Sequence, residues 1–177
     1  MKQRVNRRVG IVFVAVVAVT VAQFAIYFPR LPERLATHFD VAGWANGWMS
    51  KAQFAGFQIV LLGVFGAVFG GLPRLLPKLP NWSINLPYRD HWLAPERRDA
   101  SLADLAGSMA TLGTGTLSFF VLLTELTLRA NLLPEPRLGN EVWLLLGGFG
   151  IGLAVWVWRL LRRFPRPPLT ARHPASR

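Results

Sequence analysis

The chain has 177 residues, 52% of them apolar, with a formal net charge of +11. Its charged fraction of 16% falls well below the roughly 25% of soluble domains, and an aromatic fraction of 12% with seven Trp excludes a disordered basic tail. There are no cysteines, so disulfides, thiolate metal sites and thiol chemistry are excluded as well.

Residues 10–28 carry no charge and only two polar side chains, Thr20 and Gln23. They follow a basic start, Lys2, Arg4, Arg7 and Arg8. The run is longer than a signal-peptide core and lacks an A-x-A site, so it reads as a retained signal-anchor helix. Residues 54–72 are similar, with Gln58 as the main polar member. Residues 105–128 are apolar apart from Ser, Thr and Glu125, and residues 142–158 are uncharged. A helix of about 20 residues crosses the roughly 30 Å hydrocarbon layer and satisfies its own backbone there. The expectation is an all-α bundle of four transmembrane helices in one membrane domain. An outer loop covers 29–53, an inner loop 73–104 and a basic tail 159–177.

Charge sets the expected orientation. With both termini in the cytoplasm, fifteen of the twenty Lys and Arg lie inside and five outside. The net charge then reflects topology, and anionic lipid is a better expected partner than nucleic acid. Arg159, Arg162, Arg163 and Arg166 would meet lipid head groups.

Small residues suggest how the spans pack, since they let backbones approach in lipid. Ala15, Ala18, Ala22 and Ala25 share one face of the first span. Gly56, Gly63, Gly66 and Gly70 mark the second, and Gly148 and Gly152 the fourth. In the third, Asp104, Thr111, Ser118 and Glu125 stand seven apart and form one polar stripe, expected to turn inward. An intramembrane carboxylate is a functional candidate by default. Against that, Glu125 can reach the interface or pair with Arg129 at i+4. Ser101 to Asp104 fits a capping box opening this helix.

The outer loop contains Leu31-Pro32 and then His38-Phe39-Asp40, Gly43, Asn46-Gly47 and Ser50-Lys51. Gly43 and Asn46-Gly47 are turn formers, and the aromatics suit a loop resting on a membrane surface. His38, Asp40, Glu33 and Asn46 are candidates for a metal or peptide site, or else they hydrogen-bond the turn and fix the loop. The inner loop contains Asn85-Leu86-Pro87 and Trp92-Leu93-Ala94-Pro95-Glu96-Arg97-Arg98. Pro95 and Glu96 suit a helix start. This segment either docks a partner or forms an amphipathic lead into the third span.

Both motifs together resemble the bacterial DUF1648 membrane-protein family. Asp40 stands where the family usually has Asn, and Asn46 where it has Asp. The resemblance implies a multi-pass protein of the bacterial inner membrane, related to the SdpI immunity protein. By analogy, it implies sensing of, or immunity to, an envelope-active peptide, with a cytoplasmic regulator as a further partner. His38, Asp40, Gly43, Asn46, Ser50 and Lys51 would then form the outer partner loop. Asn85, Trp92, Pro95, Glu96 and Arg97 would form the cytoplasmic motif. The alternative is a small transporter, channel or accessory subunit using Thr111, Ser118 and Glu125. Self-association is compatible with either. No catalytic motif is present, and neither a cofactor nor a metal is expected.

Overall fold

The computed structural model describes residues 2–168, with side chains from Gly10 onward. The basic side chains at 2–8 and the tail beyond 168, including His173, lie outside the described residues. Helix α1 (Lys2–Tyr27) ends in a tight turn at Phe28–Arg30, where Pro29 cannot continue the α-helical bonding. Strands β1 (Arg34–Phe39) and β2 (Ala45–Ser50) form an antiparallel hairpin. Helix α2 (Lys51–Phe65) widens into π-helical turns at Gly66–Gly71 and runs on through α3 (Leu72–Leu75). After a short helix α4 (Arg89–Trp92) come α5 (Pro95–Ala130) and α6 (Glu141–Arg163).

Four stretches are long and apolar enough to cross a bilayer: Gly10–Arg30, Lys51–Lys78, Pro95–Ala130 and Glu141–Arg163. They coincide with the expected spans and extend past them. One correction concerns class. The molecule is mostly helical rather than all-α, because the 29–53 loop folds as a hairpin. A second concerns where the third helix begins. It opens at Pro95, with Ala94 as the flanking residue, so no capping box forms at Ser101. Proline has no N–H to leave orphaned in the first turn, and Glu96 complements the positive helix end. Ser101 is buried one to two turns inside, and Asp104 pairs with Arg163 instead. At 1.5 Å per residue α5 is about 54 Å long, so its first turns project beyond a ~30 Å hydrocarbon layer.

Helix α5 is central and packs against α1 on one side and α6 on the other. Most apolar side chains of the spans stay exposed within the chain, as lipid-facing residues can. The alanine face of α1 does not pack inward. Ala15, Ala18, Ala22 and Ala25 are exposed, while Val16, Thr20 and Gln23 are buried. The reason is that α5 offers hydrogen-bonding partners to the Gln23 side, and lipid competes with alanine contacts but not with hydrogen bonds. Two glycines do admit a neighbour. Phe13 lies over Gly66 and Phe69 over Gly113, too close for any side chain. Gly56, Gly63, Gly148 and Gly152 face open space.

Two apolar clusters close the ends. Leu31, Leu35, Phe54 and Leu128 seat the hairpin on the bundle. Ile84, Leu86, Leu93, Leu102 and Phe164 fold the 79–94 region against α5 and the end of α6 at the other.

Candidate functional site

The hairpin is built by its own polar residues. Asp40 Oδ1 accepts from the N–H groups of Ala42 and Trp44, both at 2.9 Å, which makes the turn. Gly43 sits within it at φ +84°, a conformation that glycine adopts without strain, and Leu138 O would strike any side chain there. The turn is therefore at Asp40–Trp44, and Asn46-Gly47 lies in β2 instead. A bulge near His38 supplies the local bend that those residues were expected to make. Gly47 lets the His38 ring cross over its Cα. His38 Nδ1 is 3.2 Å from Thr37 Oγ1.

Where β2 meets α2, Ser50 and Gln53 form a reciprocal capping box. Lys51 Nζ donates to Leu31 O at 3.2 Å and rests 4.5 Å over the Phe28 ring. Arg137 stacks 4.3 Å over Trp44, and Leu138 N donates to Gly43 O at 2.9 Å. Of the first motif, Asp40, Gly43, Ser50 and Lys51 are thus engaged in the architecture, while Asn46 is exposed.

One residue outside that motif secures it. Asn131, 3% exposed, follows the last turn of α5. Its Oδ1 accepts from Ala36 N at 2.7 Å, and its Nδ2 donates to Ala36 O at 2.9 Å. A second bond runs from Nδ2 to Thr127 O at 2.9 Å. The side-chain amide thus pairs with β1 as a neighbouring strand would. Sequence reasoning missed it, because an Asn after a helix reads as an ordinary end signal.

Below the hairpin lies a polar node between α1 and α5. Glu125 Oε1 accepts from Tyr27 OH at 2.5 Å and from Arg129 Nε at 2.7 Å. Its Oε2 accepts from Gln23 Nε2 at 3.1 Å, and that nitrogen also donates to Val121 O at 3.0 Å. Arg129 Nε also approaches Tyr27 OH, at 3.3 Å. Beside the node, Gln58 Nε2 donates to Thr124 Oγ1 at 2.6 Å and ties α2 to α5. Gln23 Oε1 is buried and has no partner among the described residues. The signals for this node were Gln23 and Gln58, among the few polar side chains of their spans, and Glu125, the one charged residue of 105–128. Tyr27 and Thr124 carried no separate signal.

The stripe expected along the third span divides. Glu125 faces α1, whereas Thr111 and Ser118 are exposed and border an apolar groove of about 440 Å³ between α5 and α6. A seven-residue spacing drifts only ~20° per heptad on a 3.6-residue helix, so the single heptad from Ser118 to Glu125 accounts for a small part of the division, and the longer Glu125 side chain reaches Gln23 and Tyr27 of α1. Thr111 satisfies itself by bonding Gly107 O.

The second motif forms the opposite end. Pro95 and Glu96 open α5, and Arg97 Nε donates to His91 O at 2.8 Å. Arg98 clasps the preceding loop through Asn81 Oδ1 and the carbonyls of Pro77 and Leu79. Trp92 Nε1 donates to Pro165 O at 3.3 Å, and its ring meets Phe164 edge-on. Asn85 is exposed. His38 and His91 therefore sit at opposite ends of the bundle.

Four apolar spans, three of them meeting at a polar node, with one folded cap at each end, define a multi-pass membrane protein. Residues 15–64 match the family model described as Domain of unknown function (DUF1648). That match takes in α1 from Ala15, the whole hairpin and nearly all of α2, and it stops short of the 85–98 motif. Neither a curated protein nor a solved structure matches the chain.

Proposed function

We propose that this protein is an SdpI-like receptor of the bacterial cytoplasmic membrane that senses, or confers resistance to, an envelope-active peptide. In this reading both termini are cytoplasmic and the hairpin faces outward, as the distribution of Lys and Arg favours. The observation that carries the reading is the pre-organised hairpin. Asn131 holds it on the bundle while Val41, Trp44 and Trp48 remain exposed, Val41 at 82%. A platform that is already ordered loses little freedom on binding, and tryptophans at a membrane surface suit an amphipathic ligand. Asp40, Gly43, Ser50 and Lys51 shape this platform, and Asn46 joins the exposed surface. The segment from Trp92 to Arg98, joined to the end of α6 through Trp92 and Phe164, is the inward-facing element that a cytoplasmic regulator would read. The role assigned is binding rather than catalysis. A transport role is less well supported, because Glu125 is engaged by three side chains and lies apart from Thr111 and Ser118.

Labelling of single cysteines tests the orientation. Gly47 is a poor site because His38 occupies the space beside it, so Asn46→Cys is the better probe. Asn46→Cys should react with an impermeant thiol reagent on intact cells, and Pro87→Cys only after permeabilisation. The reverse pattern ends the receptor reading. So does a deletion strain whose sensitivity to every envelope-active peptide tested equals that of its parent.

A further inference from the structure

A two-stranded hairpin has two open edges, and this one treats them differently. On β1 the outward groups of Ala36 are both taken by the Asn131 amide. Because Ala36 N–H points at Asn131, the Ala36–Trp48 pair cannot be one that exchanges hydrogen bonds across the hairpin. The alternation agrees on either side. Lys51 N donates to Glu33 O across the strands, and Ser50 N turns outward to Gln53 Oε1. The N–H and C=O of Trp48 therefore point away from β1, along the outer edge of β2. The chain already uses that edge once. Leu138 N donates to Gly43 O, and Arg137 pairs with Trp44 as the beginning of an antiparallel third strand. The helical turns of α6 follow from Glu141, and Pro134 and Pro136 flank Glu135, so this added strand goes no further. Among the described residues nothing pairs with the Trp48 main chain, and Trp48 is 45% exposed.

We propose that the outer edge of β2 at Trp48 binds an extended peptide segment by strand addition. The proposal rests on the peptide-receptor reading for the class of ligand and adds how that ligand is held. Main-chain pairing supplies affinity with little dependence on ligand sequence, and the exposed Trp44 and Trp48 rings favour apolar side chains at alternate positions. Leaving an edge open is a liability that proteins usually cover. Here β1 is capped at Ala36 by a buried side chain, while among the described residues β2 is open at Trp48.

The test uses the full chain in detergent micelles and a short alternating valine–threonine peptide carrying a dansyl group, followed by fluorescence anisotropy. Trp48→Pro removes the outward N–H without touching the bonds to β1, whereas Trp48→Ala keeps it. The proline variant should bind about tenfold more weakly than the alanine variant, as expected for loss of one main-chain bond. A probe N-methylated at alternate residues should lose affinity for the unaltered protein to a similar degree, which tests the pairing without any variant. Equal losses for alanine and proline, undiminished binding of the methylated probe, or no binding of the parent probe would each overturn strand addition. A disulfide between copies carrying Asn46→Cys would also overturn it, by showing that the edge is a seam between two chains. Failure of the receptor reading is distinguishable. Reversed labelling at positions 46 and 87 ends that reading and leaves binding in micelles intact, while a silent probe with the expected labelling ends only strand addition.

Discussion

Replacing Asn131 by Ala should release the hairpin from the bundle. The substitution removes the bonds to Ala36 N, Ala36 O and Thr127 O at once. Thr127 O keeps a second donor, the Asn131 backbone N–H at 3.2 Å, so its loss matters little. Ala36 is fully buried, and both of its main-chain groups are left without a partner. Each of the two orphaned groups costs about 1–3 kcal/mol, so the docked hairpin loses roughly 2–6 kcal/mol relative to its opened form. At about 1.4 kcal/mol per tenfold, amide exchange at Ala36 should quicken by about two orders of magnitude. Hydrogen exchange followed by mass spectrometry on peptides covering β1 reads this directly. Asn131→Asp should not rescue it. One oxygen can still accept from Ala36 N, but the other replaces a donor and faces the carbonyls of Ala36 and Thr127. Parent-like exchange across β1 in the Ala variant would refute the reasoning, since something other than the amide would then hold the strand. Faster exchange throughout the helices would refute it too, by showing a global rather than a local role.

Other outcomes follow from the packing. Gly113→Leu should lower the thermal midpoint in detergent, because its Cβ would lie 2.5 Å from Phe69 Cγ and overpacking costs about 1–3 kcal/mol. Gly148→Ala should leave the midpoint within error, since nothing lies within 4 Å of that position. Glu125→Leu should destabilise the α1–α5 contact by about 2 kcal/mol by leaving Tyr27 OH without its acceptor, and Glu125→Gln by about half as much; equal midpoints would remove the node from the account. Arg163→Ala should cost no more than about 1 kcal/mol in chemical denaturation, because its pair with Asp104 is substantially exposed.

The membrane class was legible from hydropathy alone, because a bilayer demands long uninterrupted apolar helices and leaves a plain trace in the chain. Pro95 and Glu96 as a helix start were legible for a similar reason, since their preferences act within one turn. Gln23, Gln58 and Glu125 of the node were visible as exceptions in their spans, whereas Tyr27 and Thr124 were not. Their partnership was not, because Gln23 and Glu125 stand 102 residues apart and only the packing of α1 on α5 joins them. The stripe from Asp104 to Glu125 reads as one face, and its ends meet different neighbours, Arg163 of α6 and the Gln23 and Tyr27 side chains of α1. The small residues marked surfaces able to pack, without saying which would meet protein and which lipid. The hairpin is the clearest case of a tertiary decision. Its strand residues contain Asn, Gly and Ser, with weak intrinsic preference for a sheet. What makes β1 stable is a buried amide from the far end of α5, 95 residues away. Local chemistry therefore determined the spans and the turn at Asp40, where the forces act within a few residues. Tertiary structure decided which polar groups found partners, because a hydrogen bond in a buried site depends on what another element brings to it.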